Sequence, residues 1–357
     1  MRKKTNEVNC SDKKIGFNNP ILVQSMTNTK TSDIEATVNQ ILDLEKLGCD
    51  IVRVAIPNME SAKAIKCIKE KINIPLVADI HFDYRLALES IKNGIDKIRI
   101  NPGNIGSEDR IKEVVEACKL NRIPIRIGVN SGSVDKKILE KYEGKVTADG
   151  LVESAMEHVK ILEKYDFNQI VISIKASTTQ MTIEANKKMS ELVNYPLHIG
   201  VTEAGTIFKG TIKSAIGIGA LLSTGIGDTI RVSLTGDPLE EVKVGKEILR
   251  SLDLLNDQPT IVSCPTCGRT NVDLISIVNK VEIEIAKLDN CPKNIKIAIM
   301  GCAVNGPGEA KEADIGIAGG DKCAILFKKG KIIKKISEDK IIEELIYELS
   351  NWENNTN

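Results

Sequence analysis

Residues 20–235 alternate eight times between a short run rich in isoleucine and valine and a longer segment with helical periodicity. The short runs predict eight β-strands: Pro20–Gln24, Ile51–Ala55, Pro75–Asp79, Lys97–Asn101, Pro124–Val129, Gln169–Ile174, Leu197–Val201 and Thr229–Ser233. The segments between them predict helices: Ile34–Leu47, Ser61–Glu70, Tyr84–Asn93, Glu108–Lys119, Leu151–Tyr165, Thr182–Val193 and Leu239–Leu249. This alternation indicates parallel strands joined by helical crossovers, and eight such units fit a (β/α)8 TIM barrel.

A doubly wound open sheet is the alternative α/β fold. It usually has fewer units and carries a glycine-rich phosphate loop after its first strand. The chain instead has Gln24-Ser25-Met26-Thr27 at this place, which favours the barrel.

The pattern changes near Asp257-Gln258-Pro259, which we interpret as a linker. We therefore expect a barrel domain over residues 1–256 and a smaller α+β domain over residues 257–357. The second domain has predicted strands at Thr260–Ser263, Lys296–Met300, Asp314–Ala318, Ala324–Lys328 and Lys331–Ile336, and predicted helices at Asp273–Leu288 and Asp339–Asn351.

Charge and composition argue against several classes of partner. Lysine plus arginine equals aspartate plus glutamate at 49 each, and aromatic residues make up only 3%, so neither nucleic acid nor a membrane surface is an expected partner. No apolar run is long enough to span a membrane, and no signal sequence is evident. We expect a cytoplasmic protein whose nine cysteines stay reduced.

The predicted strands end in polar side chains, where TIM barrels carry their active sites. Arg53, Arg99, Arg126 and Arg231 interrupt otherwise apolar strands, and Lys175 follows another. Together they outnumber Asp79 and Glu203, so we expect a di- or polyanionic, phosphorylated ligand. The alternative is that each arginine pairs with a carboxylate on a neighbouring helix.

Two further side chains have a functional interpretation and an alternative, and a third has a single one. His81 either acts as a general acid or base or forms a hydrogen bond to the substrate, or it orients another group. Glu203 either protonates a leaving hydroxyl or pairs with a nearby cation. His158 lies on a predicted helix, where we expect it at the surface.

Two glycine- and proline-rich turns carry cysteines, Cys264-Pro-Thr-Cys267 and Gly301-Cys302. A lone CxxC is compatible with half a zinc site, a dithiol redox pair or part of an iron–sulfur cluster. The recurrence of Cys302 after a second apolar strand favours a four-iron cluster. Candidates for the fourth ligand are Cys291, Cys323 and Glu309.

The two turns, Cys264-Pro-Thr-Cys-Gly-Arg269 and Gly301-Cys-Ala-Val-Asn-Gly-Pro-Gly-Glu-Ala310, resemble those of the 4-hydroxy-3-methylbut-2-enyl diphosphate synthases, the iron–sulfur enzymes of the non-mevalonate isoprenoid pathway. The resemblance extends through the barrel, in Val23-Gln-Ser-Met-Thr27, Ala78-Asp-Ile-His81, Arg99-Ile-Asn-Pro-Gly-Asn104, Arg126-Ile-Gly-Val-Asn130, Thr202-Glu-Ala-Gly205 and Arg231-Val-Ser233.

This resemblance implies a [4Fe-4S] cluster held by Cys264, Cys267, Cys302 and Glu309. It implies reductive ring opening and dehydration of 2-C-methyl-D-erythritol 2,4-cyclodiphosphate, with two electrons from flavodoxin or ferredoxin. The implied substrate-binding residues are Arg53, Arg99, Arg126, Asn130, Lys175, Thr202, Arg231 and Ser233, and the implied catalytic residues are Glu203, Glu309, Asp79 and His81. It also implies a homodimer in which the cluster domain of one chain caps the barrel of the other.

Two other functions remain open from the residues alone. A zinc-stabilised barrel would bind a phosphorylated metabolite without redox chemistry and would be colourless, whereas an iron–sulfur protein is brown. A dithiol oxidoreductase would not need Cys302.

Overall fold

The computed structural model describes residues 2–288, 291–302 and 312–352. The chain divides into two compact units, residues 1–254 and 255–357, close to the boundary expected from the sequence. Within the described ranges, no helix has the length and apolar character needed to cross a membrane.

The first unit is a closed barrel of parallel strands that follows a short antiparallel hairpin. The hairpin strands are β1 (Val8–Cys10) and β2 (Lys13–Ile15). The barrel strands are β3 (Leu22–Met26), β4 (Ile51–Ala55), β5 (Leu76–Asp79), β6 (Lys97–Ile100), β7 (Ile125–Asn130), β8 (Ile170–Lys175), β9 (His198–Ile199) and β10 (Thr229–Ile230). Strands β3 to β8 pair in the order in which they occur in the chain, and β10 pairs with both β9 and β3. A parallel bridge between Ile172 of β8 and Leu197, next to β9, closes the barrel.

Helices connect these strands on the outside. They are α1 (Ile34–Lys46), α2 (Met59–Lys69), α3 (Tyr84–Lys92), α4 (Pro102–Ile105), α5 (Glu108–Asn121), α6 (Lys136–Lys141), α7 (Ala148–Lys164), α8 (Thr179–Leu192), α9 (Ile207–Leu222) and α10 (Pro238–Arg250). Side-chain caps begin several of them, such as Asp33 on α1 and Asp83 on α3. Gly48 and Gly94, with φ of +80° and +83°, end α1 and α3 because a left-handed residue after a helix favours glycine.

The hairpin closes the end of the barrel at which the strands begin. Val8, Cys10 and Ile15 form one buried cluster with Leu22, Ile51, Val77 and Val171, which lie at or next to the first residues of four barrel strands. The opposite end, where the polar residues sit, carries the candidate site.

The second unit is a five-stranded mixed sheet with two helices on one face. Its strands β11 (Thr260–Ser263), β12 (Lys296–Met300), β13 (Ile315–Gly320), β14 (Cys323–Lys328) and β15 (Lys331–Ser337) are ordered as in the chain. The first three are parallel and the last two form an antiparallel hairpin on β13. Helices α11 (Leu274–Ile285) and α12 (Ile341–Ser350) bury their apolar sides against Ile297, Ile317 and Leu326.

The predicted fold class, a TIM barrel followed by a smaller α+β domain, is confirmed. Sequence reasoning missed the short helices α4 and α6, the N-terminal hairpin and the longer helix α9. Helix α9 has glycines inside an apolar segment, and the hairpin is too short for a clear alternation. The expectation for His158 was wrong: it is buried on α7, where burial lowers its pKa to about 4.

Candidate active site

Three charged side chains stand side by side on neighbouring strands at one level of the barrel. Asp79 on β5 pairs in register with Arg99 on β6, and Arg99 pairs with Arg126 on β7. All three are buried. The adjacent strands thus turn three isolated charges of the sequence into one continuous row.

Asp79 is the counter-charge at the centre of this row. Arg99 Nη1 donates to Asp79 Oδ1 over 3.1 Å, Arg53 Nε lies 3.7 Å from Oδ2, and His81 Nε2 lies 3.5 Å from the same oxygen. Burial disfavours the carboxylate, but Arg53, His81 and Arg99 together overcome that effect and hold the pKa of Asp79 well below its usual range. Asp79 is therefore ionised at neutral pH and suited to orient cations.

Arg126 has hydrogen-bonding capacity that the described residues leave unused. Its Nη1 donates to Gln24 Oε1 over 3.2 Å. Its Nε and the Nε2 of Gln24 are buried and have no hydrogen-bond partner in the described part of the chain. Buried donors without an acceptor are costly, so they indicate a place for an acceptor-rich ligand.

Lys175 and Asn130 face one another at the ends of β8 and β7. Lys175 is buried, and its pKa is well below the usual value because burial, and then Arg231, Arg53 and Arg126, disfavour the ammonium ion. An anion beside Lys175 would reverse that preference.

Arg231 follows β10 and has a partner that the sequence reasoning missed. Its Nε and Nη2 lie 3.4 Å from the carboxylate of Glu241, a buried residue of α10. Glu241 also accepts from the Ser25 hydroxyl at 3.2 Å and from the Leu234 backbone N–H at 3.1 Å. For Arg231 the helix-carboxylate alternative is therefore correct. A detectable signal existed, since Glu241 lies on the apolar side of α10 with Val242 and Gly245.

Glu203 lies in the loop after β9 with a φ of +52°, a left-handed conformation that is uncommon for residues other than glycine. It is exposed and forms no ion pair with a described residue, so the ion-pair alternative finds no support there. Thr202 before it and Ser233 after β10 are partly exposed at the same end of the barrel. The strained position is of the kind that clusters at active sites.

The absence of a side chain at Gly128 leaves space for the Arg99 guanidinium. A Cβ on Gly128 would lie 2.2 Å from Arg99 Nε and 2.8 Å from its Cζ, so only glycine allows the guanidinium its present path. Arg99 Nη2 also donates to the Gly128 carbonyl over 3.3 Å.

Two carboxylates lie among the five cations Arg53, Arg99, Arg126, Lys175 and Arg231: Asp79 pairs with Arg53 and Arg99, and Glu241, rather than the expected Glu203, pairs with Arg231. The surplus of positive charge at the carboxyl ends of the strands remains. Because buried cations need compensation, this end of the barrel is suited to a polyanion.

The cysteine turns of the second unit follow neighbouring parallel strands. Ser263 pairs with Ile299, so Cys264 and Cys302 leave the same edge of the sheet. The Gly301 backbone N–H donates to Cys264 Sγ over 3.3 Å. A backbone N–H and then the side chain of Arg269 lower the pKa of the Cys267 thiol, which favours the thiolate needed for metal binding.

These thiols suit an iron–sulfur cluster in type and in their position on adjacent strand ends. Among the residues that the structure describes, no three ligating side chains lie close enough together to hold a metal ion. The fourth expected ligand, Glu309, lies outside the described residues. Cys323 begins β14 at this edge of the sheet, Cys291 lies before β12, and Cys10 is buried beneath the barrel.

Two family models match the chain along almost its whole length. The GcpE TIM-barrel domain matches residues 5–246, and the GcpE protein C-terminal domain matches residues 260–351. The chain belongs to the GcpE family. The barrel match contains every cationic residue of the candidate site, and the C-terminal match contains both cysteine turns.

Curated relatives of this GcpE chain share most of its sequence. It is 64% identical over 349 residues to the 4-hydroxy-3-methylbut-2-en-1-yl diphosphate synthase (flavodoxin) of Ruminiclostridium cellulolyticum, with 98% of each chain covered. The protein of the same name from Fusobacterium nucleatum is 62% identical, with 97% of this chain and 96% of that protein covered. The one from Caldanaerobacter subterraneus is also 62% identical, with 98% of this chain and 97% of that protein covered.

Solved structures show likeness in fold alone. A dihydropteroate synthase from Stenotrophomonas maltophilia aligns with a TM-score of 0.51 at 13% identity, covering 70% of this chain and 98% of that one. A sialic acid synthetase from Leptospira borgpetersenii aligns with a TM-score of 0.52 at 13% identity, covering 80% and 98%.

Proposed function

We propose that this chain catalyses the reductive ring opening of 2-C-methyl-D-erythritol 2,4-cyclodiphosphate to 4-hydroxy-3-methylbut-2-enyl diphosphate. The observation that carries the proposal is the row Asp79–Arg99–Arg126, with its unsatisfied buried donors, in a chain that is 64% identical to a synthase of that name. The reaction takes up two electrons, breaks one carbon–oxygen bond of the ring and expels a hydroxyl as water.

The cations act on the charge that this reaction creates. Ring opening frees a phosphate oxygen, and the open diphosphate carries more negative charge than the cyclic one. Arg53, Arg99, Arg126, Lys175 and Arg231 bind the cyclic diphosphate and stabilise that additional charge more strongly still, which lowers the barrier. Asn130, Thr202 and Ser233 are neutral donors to the phosphate and hydroxyl oxygens.

Proton transfer falls to Glu203 in this proposal. The departing hydroxyl must take up a proton to leave as water, and the low pKa of Asp79 makes that carboxylate a poor donor. Glu203 lies at the mouth of the barrel in a conformation fixed by its loop. His81, within reach of both Asp79 and Arg99, orients them at the mouth.

We propose that Cys264, Cys267, Cys302 and Glu309 hold a [4Fe-4S] cluster. When bound, the cluster supplies the two electrons one at a time. The lowered pKa of Cys267 and the N–H···S bond from Gly301 to Cys264 support this assignment. The electron donor is a flavodoxin, the carrier that stands in the names of the relatives.

Iron and sulfide counting tests the cluster, and turnover tests the reaction. Anaerobically purified protein is expected to be brown, to hold four irons per chain as [4Fe-4S] requires, and to convert the cyclodiphosphate with reduced methyl viologen. Cys302→Ser should lose the colour, the iron and the turnover, whereas the matched variant Cys323→Ser should keep all three. A colourless wild-type protein, or full turnover in Cys302→Ser, would refute the proposal.

We also propose a homodimer whose cluster domains serve the partner's barrel. Phe208, Ile212 and Ile216 repeat at four-residue intervals on α9 and are exposed, a pattern that favours self-association. Ile212→Glu with Ile216→Glu should shift the protein to monomer in sedimentation. Leu120→Glu, at an isolated exposed leucine of α5, should leave the dimer intact.

Mixed dimers test the sharing of sites. A Cys302→Ser chain retains its barrel, and a Glu203→Gln chain retains its cysteines. If each cluster serves the partner's barrel, co-expressed and mixed dimers regain one complete site and part of the activity. If each chain serves itself, every site in the mixed dimer stays broken and no activity returns.

A further inference from the structure

The outer hairpin of the C-terminal unit concentrates positive charge in a chain that is neutral overall. Residues 322–340 contain seven lysines and two carboxylates, while the whole chain has 49 cationic and 49 anionic residues. Most of these lysines lie on or beside β14 and β15, and β15 is an edge strand of the sheet.

The lysines of the hairpin fall into two groups by their contacts. Lys334 forms an ion pair with Glu344 of α12, and Lys328 lies 4.0 Å from Glu348 and over the Trp352 ring. These two stabilise the packing of the helix on the sheet.

Lys329, Lys331 and Lys335 are exposed, and none of them has an ion-pair partner among the residues that the structure describes. Their charge is directed to solvent or to a partner.

Two exposed isoleucines lie among these lysines. Ile332 and Ile333 of β15 are 71% and 50% exposed, next to a shift in register of the hairpin. Lysines on an edge strand commonly prevent sheets from joining edge to edge, but adjacent exposed isoleucines work against that purpose. An apolar centre within a charged rim is instead the usual composition of a docking surface.

The hairpin also ends beside the cysteine turns. Because β12 and β13 are parallel and β14 and β15 return antiparallel, the end of β15 and the start of β14 lie at the sheet edge from which Cys302 leaves. β15 is three strand positions from β12, about 14 Å at ordinary strand spacing. Through these registers Lys335 is level with Met300 at the end of β12, whereas Lys331 is level with Ile297 near its start. A protein docked along β15 would therefore approach the cysteine edge at Lys335 and extend away from it towards Lys329.

We propose that β15, with Lys329, Lys331, Ile332, Ile333 and Lys335, is the docking surface for an acidic electron-carrier protein of the flavodoxin kind. The inference rests on the proposed function, since only a reductase needs such a carrier. Opposite charges steer the carrier to the surface and set its orientation, and the isoleucines form the apolar centre of the contact.

Charge reversal tests the surface. In Lys331→Glu with Lys335→Glu, the edge strand stays charged, so its protection against aggregation is retained. The KM for reduced flavodoxin at low salt is expected to rise about tenfold, and the Kd for oxidised flavodoxin in calorimetry by a similar factor. Turnover with reduced methyl viologen should not change, because a small reductant needs no docking surface.

Two further variants make the test specific. Lys280→Glu with Lys293→Glu changes the charge of the same unit equally, away from β15, and should leave the KM for flavodoxin unchanged. Ile332→Ser alters no charge and should raise that KM by itself.

An unchanged flavodoxin KM in the β15 variants, or an equal rise in the Lys280/Lys293 control, would overturn the docking surface. A parallel loss of viologen-driven turnover in the β15 variants would overturn it too, since the defect would then lie in the reaction centre. Failure of wild-type protein to turn over with viologen would instead refute the proposed function.

Discussion

Asp79→Asn removes the charge that three cationic or polar groups share while almost conserving the side-chain shape. Only 6% of the Asp79 side chain is exposed, as is 6% of Arg99 and 12% of Arg53. Removing one partner of a buried ion pair costs about 3–5 kcal/mol, because the remaining charge is left without compensation. We expect the lower end, about 3 kcal/mol, since the amide oxygen of asparagine still accepts from Arg99.

That loss is large enough to measure. For a unit of this size, about 3 kcal/mol corresponds to a fall of roughly 6–12 °C in the Tm of the barrel. Thermal unfolding monitored by circular dichroism gives the value. Added pyrophosphate should restore part of the lost Tm, because an anion supplies the missing negative charge.

The Asp83→Asn variant is the matched control. Asp83 pairs with Arg85 at 2.8 Å in the neighbouring loop, but both are more exposed, and asparagine keeps the cap of α3. We expect a change below about 0.5 kcal/mol. If Asp79→Asn were as mild as this control, the view that Asp79 holds the arginines in place would be wrong.

The pH dependence of Asp79 has a definite sign. Its folded pKa is depressed, so its contribution to stability is present above the unfolded pKa of about 3.9 and is lost as the pH falls towards the folded value. The difference in stability between wild type and Asp79→Asn should therefore persist through neutral pH and shrink only in acid.

Two further predictions concern the cations. Gly128→Ala is expected to fold, because its new methyl group meets only the flexible end of the Arg99 side chain. The variant should raise the substrate KM about tenfold, because the methyl group displaces the Arg99 guanidinium. An unchanged KM would show that substrate binding does not need the present position of that guanidinium. Lys175 has a lowered pKa, so binding of the cyclodiphosphate should be accompanied by uptake of a proton by Lys175. The affinity for the cyclodiphosphate should therefore fall as the pH rises through the pKa that Lys175 has in the ligand-free protein. Calorimetry in buffers of different ionisation enthalpy measures that uptake, which Lys175→Met should abolish; equal uptake in this variant would assign the proton to another group.

Local sequence patterns were sufficient for the barrel and for most of its site. Ile/Val runs and helical periodicity repeat within windows of about 10–15 residues, so the strand order follows once the connections are parallel crossovers. Arg53, Arg99 and Arg126 were identifiable because a charge within an apolar strand violates that pattern, and Lys175 because it directly follows such a strand. The cysteine turns stood out in the same way.

The partners of those charges were decided by tertiary structure. Ser25 and Glu241 are separated by 216 residues and meet only because β3 packs against α10 on the closed barrel. Nothing in the sequence around Gly128 indicates that the Arg99 side chain on the neighbouring strand passes directly over it. The hairpin beneath the barrel likewise gains its core from four strands distant in sequence.

The sequence by itself therefore determined which residues carry charge or sulfur and at which strand ends they lie. Only the tertiary structure decided that Asp79 neutralises Arg99 and Arg53, that Glu241 rather than Glu203 neutralises Arg231, and that Arg126 keeps unused donors. The physical reason is that the periodicity of a helix or strand is a local property, whereas the compensation of a buried charge depends on which distant groups share its low-dielectric surroundings.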